Sequence, residues 1–78
     1  MEYRSKTDIM QAVLKSCGLP TSKTRIMYSA YLNFKQINSY LDFMIKEHLI
    51  IKTKKEYVRS SKGSDVLANL MRFRELID

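Results

Sequence analysis

Apolar residues recur along this chain with the spacing of helices that each bury one face. The first set predicts a helix that begins near Ser5 or Thr7 and ends at Ser16 or Cys17. Its apolar positions are Ile9, Met10, Val13, Leu14 and Cys17. Gly18 follows at the place where a C-cap glycine commonly ends a helix, so we expect it to have that role here.

The next two helices are predicted from their caps as well as from their apolar spacing. Thr21 or Ser22 begins the second helix, and Asn33 begins the third with Gln36 in a capping-box pattern. The inward stripe of the third helix is predicted to comprise Ile37, Tyr40, Leu41, Met44 and Ile45. Its opposite face comprises Lys35, Ser39, Asp42 and Lys46, flanked by Gln36, Asn38 and Phe43. We expect Phe34 to pack at the start of this helix.

A β-hairpin is predicted directly after the third helix. His48 stands where that helix must end, a position that wants positive φ and is usually glycine. Two β-prone runs, 49–53 and 56–60, then surround the polar pair Lys54 and Lys55. This hairpin is the candidate wing.

The last part of the chain predicts a fourth helix, capped by Ser60 or Ser61. Its apolar positions are Val66, Leu67, Leu70, Met71, Phe73, Leu76 and Ile77. Positions 66, 70, 73 and 77 have the four-three-four spacing of a coiled-coil seam, which could equally cover the domain's own core. The breadth of the apolar surface favours a helix that packs inward on one side and against a partner on the other.

Helix, short turn, helix and hairpin predict a mainly α fold with a small β-hairpin wing, the winged helix-turn-helix. With 78 residues the chain has room for one domain. We assign residues 1–60 to a DNA-binding winged helix-turn-helix, with the wing at about 49–60. Residues 61–78 form a C-terminal helix of the same domain, assigned to dimerisation.

Three segments resemble the archaeal small winged-helix regulators, which include ten-kilodalton chromatin-associated DNA-binding proteins. They are TRIMYSAYLNFK at 24–35, YLDFMIKEHLI at 40–50 and YVRSSKG at 57–63, and the resemblance extends over roughly residues 8–77. It implies a homodimer joined by an antiparallel coiled coil of C-terminal helices, with two wings and two recognition helices presented to DNA. The chain departs from the family at His48, where glycine is usual, and in its short last helix.

Charge is unevenly distributed. The net charge is +6, with +3 in residues 1–31, +4 in residues 32–62 and −1 in residues 63–78. A basic front and a near-neutral tail favour a polyanion as partner of the front, although a solvated basic surface would have the same charge. The sequence has no run of about 18 apolar residues, so it predicts no membrane-spanning helix. The single cysteine excludes an intramolecular disulfide and fits a reducing compartment. The N-terminus is polar and leads into no apolar signal-peptide core, so we expect an intracellular protein, cytoplasmic and, if it binds DNA, nucleoid-associated.

Catalysis, metal binding and cofactor binding lack the residues they need. Cys17 and His48 lie at the ends of different predicted helices, and a Cys–His nucleophile also needs an orienting group and an oxyanion hole. One cysteine and one histidine are too few for a structural zinc site. Two glycines in no phosphate-binding arrangement indicate no nucleotide cofactor. We therefore expect a protein that is not an enzyme.

The positive evidence favours binding of double-stranded DNA, in transcription regulation or in chromatin. Mixed cationic, amide and hydroxyl groups on the third helix can read base edges, and lysines on the wing can follow the backbone or enter the minor groove. The predicted DNA contacts are Arg25, Asn33, Lys35, Gln36, Asn38, Ser39, Lys46, Lys52, Lys54, Lys55 and Arg59. The predicted dimer contacts are Val66, Leu67, Leu70, Met71, Phe73 and Ile77. Arg25 would either reach a phosphate or pair with an acidic neighbour. The alternative function is a winged helix that binds an acidic protein partner.

Overall fold

The computed structural model describes residues 4–77, which form four helices and a two-stranded antiparallel sheet. The elements are α1 (Lys6–Ser16), α2 (Lys23–Ser29), α3 (Phe34–Lys46), β1 (Ile50–Lys52), β2 (Tyr57–Arg59) and α4 (Ser61–Ile77). Helix α1 packs against both α2 and α4, and α3 continues into the hairpin. The predicted fold class, mainly helical with a small hairpin, is confirmed.

Helix α1 has Ser5, one of the two residues predicted near its start, as its N-cap. The Ser5 hydroxyl accepts a hydrogen bond from the Asp8 N–H, and the Asp8 carboxylate accepts one from the Ser5 N–H, both at 3.1 Å. These hydrogen bonds from Ser5 hold the pKa of the Asp8 carboxyl below its ordinary value, and the nearby Arg74 guanidinium acts in the same direction. Arg74 lies on α4, 2.7 Å from the same carboxylate, so the cap of α1 also contacts the last helix.

The end of α1 differs from the prediction. Neither glycine of the chain has positive φ, so Gly18 does not act as a left-handed C-cap. The carbonyl groups at this helix end are instead satisfied by the distant Arg59. The backbone N–H of Arg59 donates to the Cys17 carbonyl at 2.7 Å, and its guanidinium donates to the Leu14 carbonyl at 2.9 Å. With these acceptors paired, a glycine turn is not required to satisfy them.

The core lies between the three first helices, the hairpin and the inner face of α4. On α3, Ile37, Leu41 and Met44 are buried, while Tyr40 and Ile45 pack against the core with part of their surface exposed. The predicted inward stripe of α3 is therefore confirmed. The other buried apolar residues are Ile9, Val13, Leu14, Cys17, Ile26, Ala30, Leu32, Leu49, Ile50, Tyr57 and Leu67.

The hairpin is confirmed, and it has a third backbone partner that the pattern did not predict. Strands β1 and β2 pair with Ile51 opposite Val58, and the Thr53 N–H donates to the Glu56 carbonyl at 2.9 Å to close the tip. On the other edge of β2, Thr21 and Tyr57 exchange two backbone hydrogen bonds of 3.0 and 2.7 Å. The segment before α2 therefore anchors the base of the wing.

Helix α4 starts in very close contact with the beginning of the hairpin. Ser60 caps it, since its hydroxyl accepts from the Gly63 N–H at 2.9 Å and donates to the His48 carbonyl at 2.6 Å. The Ser60 N–H also donates to the Leu49 carbonyl at 3.0 Å. A β-carbon on Gly63 would stand 2.1 Å from that Leu49 oxygen, a distance that no side chain can adopt. Only glycine lets α4 begin here.

Two residues other than glycine have a left-handed backbone. His48 has φ 62°, so its predicted conformation at the end of α3 is confirmed. Tyr31, in the turn between α2 and α3, has φ 55° and was not predicted. The Tyr31 N–H donates to the Tyr28 carbonyl at 3.2 Å, and the Arg4 guanidinium donates to the neighbouring Ala30 carbonyl at 2.6 Å. The turn between the helices is thus fixed by Arg4 as well as by local bonds.

The two glycines provide a matched pair of substitutions. Gly63→Ala should lower the free energy of unfolding by about 1–3 kcal/mol or more, because the new methyl group meets rigid backbone. Gly18→Ala should change it little, because the nearest atom to its β-carbon would be in the Arg59 guanidinium, at an ordinary contact distance of 3.4 Å. Urea denaturation of both variants measures the difference. Equal stability of the two variants would contradict the close contact at Gly63.

His48 supplies a second stability prediction. His48→Gly should leave stability equal or raise it by up to about 1 kcal/mol, because glycine adopts positive φ without a β-carbon penalty. His48→Val should destabilise the fold, since a β-branched residue resists positive φ. The His48 side chain is exposed, so neither change removes core packing. Urea denaturation tests this order, and a glycine variant less stable than the parent would show that the imidazole makes a stabilising contact.

Candidate nucleic-acid interface

The outward face of α3 is exposed and polar. Opposite the buried stripe lie Lys35, Ser39, Asp42 and Lys46, all exposed, with Gln36 beside them. Three of these four residues carry a cation or a hydroxyl, and the fourth, Asp42, carries a carboxylate. The structure therefore brings the predicted α3 residues onto one accessible surface.

The start of α3 is held by a reciprocal pair of side-chain amides. The Asn33 Oδ1 accepts from the Gln36 N–H at 2.8 Å, and the Gln36 Oε1 accepts from the Asn33 N–H at 3.0 Å. The predicted capping box is confirmed. Both residues are exposed, so two predicted DNA contacts also stabilise the helix that presents them.

Asn38 is engaged by a residue that the sequence analysis did not single out. The Lys23 Nζ, from the first turn of α2, donates to the Asn38 Oδ1 at 2.6 Å. The same ammonium lies 5.6 Å from the centre of the Phe34 ring. Lys23 and Asn38 are both half-buried. No spacing along the chain indicates this pair, because the two residues meet only when α2 packs against α3.

Phe34 is not a packing residue, contrary to the prediction. Its side chain is 65% exposed, and its ring makes a cation–π contact with the Lys23 ammonium. Tyr28, on α2, and Tyr31, in the turn that follows, are also exposed. Phe34 falls on the same side of α3 as Leu41, but it precedes Ile37, the first buried residue of the helix, and its ring remains at the surface.

The wing presents three of its four predicted basic residues. Lys52, Lys54 and Lys55 are exposed, and the Lys52 Nζ lies 5.9 Å from the centre of the Tyr57 ring. Arg59 is different. Its guanidinium donates to the Leu14 carbonyl and, at 2.9 Å, to the Ser64 hydroxyl, so it supports the junction of α1 and α4. We remove Arg59 from the candidate interface, because its Nε and Nη1 groups donate inside the domain and hold its side chain there.

Arg25 lies exposed on α2. Of the two roles predicted for it, pairing with an acidic neighbour is not found: within residues 4–77 the ion pair observed is Arg74–Asp8. Its guanidinium is left at the surface of the helix that precedes α3.

The C-terminal half of α4 carries exposed apolar side chains that do not belong to the domain core. Leu67 is buried in the protein's own core, which corrects its assignment to a dimer contact. Val66 and Leu70 pack against that core but remain partly exposed. From position 71 to 77 every residue is exposed, including Met71, Phe73, Leu76 and Ile77. The predicted seam therefore begins against the core and ends at the surface.

Other kinds of site have no basis in the described chain. Within residues 4–77 no three His, Cys, Asp or Glu side chains are grouped so that they could hold a metal ion. No helix in that range is long and apolar enough to cross a membrane. Cys17 is buried, and burial raises the pKa of its thiol to about 11.

Comparisons with known proteins agree with this geometry. The uncharacterized protein MJ0287 of Methanocaldococcus jannaschii is 32% identical over 56 residues, which are 72% of this chain and 58% of that protein. The chain thus matches somewhat more than half the length of that relative. The crystal structure of Sso10a-2, a DNA-binding protein from Sulfolobus solfataricus, matches with a TM-score of 0.85 and 23% identity, over 94% of this chain and 81% of that one. The winged helix-turn-helix family matches residues 3–78, and this chain belongs to that family.

Proposed function

We propose that this protein binds double-stranded DNA, with α3 in the major groove and the wing on the backbone or in the minor groove. The observation that carries the proposal is the exposed polar face of α3, in a winged helix-turn-helix fold whose hairpin has an exposed basic tip. An α-helix fits the major groove of B-DNA, and in this fold class the second helix of the helix-turn-helix occupies it.

The composition of the α3 face supports base reading in addition to phosphate binding. Lys35, Gln36 and Ser39 are exposed on its early turns and offer a cation, an amide and a hydroxyl. A helix that only neutralised phosphates would be more uniformly basic. Lys46, the last residue of α3, is exposed and would contact the DNA backbone.

The wing supports the non-specific part of binding. Lys54 and Lys55 are at the tip and Lys52 is on the first strand, all exposed. Lysines that neutralise phosphates release counterions from DNA, which provides affinity on any sequence. Arg25 adds an exposed guanidinium on α2, the helix that precedes α3.

The structural relative described as a DNA-binding protein supports the same function for this fold. We propose a role in transcription regulation or chromosome organisation, which places the protein at the nucleoid in the cytoplasm.

We further propose that the protein is a homodimer joined through α4. Phe73 and Ile77 are 60% and 65% exposed and continue the line of Val66 and Leu70 along one side of the helix. Met71, 38% exposed, extends the apolar surface to a second side of the helix. Pairing of two copies would cover these side chains and present two copies of α3 to one DNA duplex.

The DNA proposal is tested by salt dependence. The parent should bind duplex DNA with an affinity that falls steeply as salt rises, and Lys54→Ala with Lys55→Ala should make the slope of log affinity against log salt shallower by about 2. Lys35→Ala should also weaken binding and relax sequence preference. Fluorescence anisotropy over a salt series measures both effects.

A control removes the same charge elsewhere. Lys15→Ala with Arg72→Ala removes two exposed cations outside α3 and the wing, and should leave the slope nearer to that of the parent. Equal effects of the two double variants would contradict the proposed interface. A parent without DNA affinity at low salt would favour the alternative, an acidic protein partner.

The dimer proposal is tested at Phe73. Phe73→Glu should give a folded monomer, because the side chain is largely exposed in one copy and a buried carboxylate would disfavour pairing. DNA affinity should fall as well, since two linked half-sites act at high effective concentration. Light scattering at high micromolar concentration measures the mass. As a control, Ala68→Glu changes an exposed residue on the other side of α4 and should leave the dimer intact. A parent that is monomeric at this concentration would contradict the dimer proposal.

A further inference from the structure

Three side-chain amides at the start of α3 share one property. The oxygen of each accepts an internal hydrogen bond from a group that can only donate. Those donors are the Gln36 N–H for Asn33, the Asn33 N–H for Gln36 and the Lys23 ammonium for Asn38, at 2.8, 3.0 and 2.6 Å. All three amides belong to the proposed DNA interface.

These contacts fix which way each amide faces. A backbone N–H and a lysine ammonium have no acceptor, so an amide turned by 180° would place its NH₂ against another donor. The orientation of Asn33, Gln36 and Asn38 therefore follows from chemistry. Reversing any of them would break the cap of α3 or leave the half-buried Lys23 facing a donor.

The NH₂ groups of the three amides are correspondingly free. Among residues 4–77 none of them donates to another protein group. The described chain also contains no buried side-chain nitrogen or oxygen without a hydrogen-bond partner. The Asn38 NH₂ is therefore accessible from outside, although the residue is half-buried. Together with the Lys35 ammonium, the first turns of α3 offer hydrogen-bond donors, and each of their amide oxygens already accepts one internal hydrogen bond.

We propose that this polarity decides which base edges α3 selects: guanine, with its adjacent N7 and O6 acceptors, over adenine. The proposal rests on DNA binding through α3. Asparagine and glutamine read adenine through a bidentate contact in which the amide oxygen accepts from the adenine N6 amino group. Here one lone pair of that oxygen is taken by an internal donor in Asn33, Gln36 and Asn38, and the oxygen is turned toward that donor, so the NH₂ is the group that faces outward. Lys23 is a positioning residue, because it acts on the base through Asn38.

The same donors could instead contact phosphate oxygens, which are also acceptors. Phosphate contacts would add affinity on every sequence, whereas guanine contacts would change sequence preference. Base preference, measured apart from affinity, therefore distinguishes the two.

Substitution by the corresponding acids tests the proposal while keeping each internal bond. In Gln36→Glu and Asn38→Asp one carboxylate oxygen can still accept from the Asn33 N–H or the Lys23 ammonium, while the outward NH₂ becomes an acceptor. Sites would be selected from a random duplex pool with the parent and with each variant. We expect the parent to select guanine at the contacted positions. The variants should lose that preference by about fivefold or more and gain cytosine or adenine, whose amino groups donate.

Two controls separate hydrogen-bond polarity from added charge and from misfolding. Asn69→Asp introduces a carboxylate on the exposed surface of α4 and should leave base preference unchanged. Asn33→Ser keeps an N-cap oxygen but removes the NH₂ without adding charge, so it should reduce guanine preference without creating a new one. Thermal unfolding should confirm that all variants fold.

Several results would overturn the inference. A parent that selects adenine at these positions would show that the amide oxygens turn outward on DNA. Variants that lose affinity equally on all sequences, with the parent's preference retained, would assign the amides to phosphates. A parent that enriches no sequence and binds no duplex would contradict DNA binding itself, and the inference with it.

Discussion

The carbonyl oxygen of Leu49 holds three parts of the protein at one point. Leu49 lies between the left-handed turn at His48 and the first strand. Its carbonyl oxygen accepts a hydrogen bond from the Ser60 N–H, just after the second strand ends. The Gly63 backbone lies so close to it that a β-carbon would approach to 2.1 Å. The exit of α3, the base of the wing and the start of α4 are therefore set by one contact. Moving it would change the angle between the helix and the wing that the proposed interface uses.

Features encoded within a few residues were predictable from the sequence. The capping box of Asn33 and Gln36 and the left-handed His48 both follow from local rules for helix ends, and both are confirmed. The apolar stripe of α3 has enough periodicity to place its buried residues correctly.

Features that depend on two distant segments were missed. Arg59 looks like a wing cation in sequence, but it fills the end of α1, 45 positions earlier, and makes the expected glycine cap at Gly18 unnecessary. Leu67 lies on a broad apolar helix, and only the packing of α4 shows which side is inside. Lys23 and Asn38 are 15 positions apart on different helices. Local spacing contains no information on such pairs.

The buried Cys17 thiol can serve as a probe of transient opening of the core. Cys17 has no exposed surface, its thiol donates to the Val13 carbonyl at 3.3 Å, and its raised pKa keeps it as the unreactive thiol at neutral pH. It cannot form a disulfide between two folded copies. Its alkylation by a thiol reagent would require the core to open, so the reaction rate measures how often the native state fluctuates.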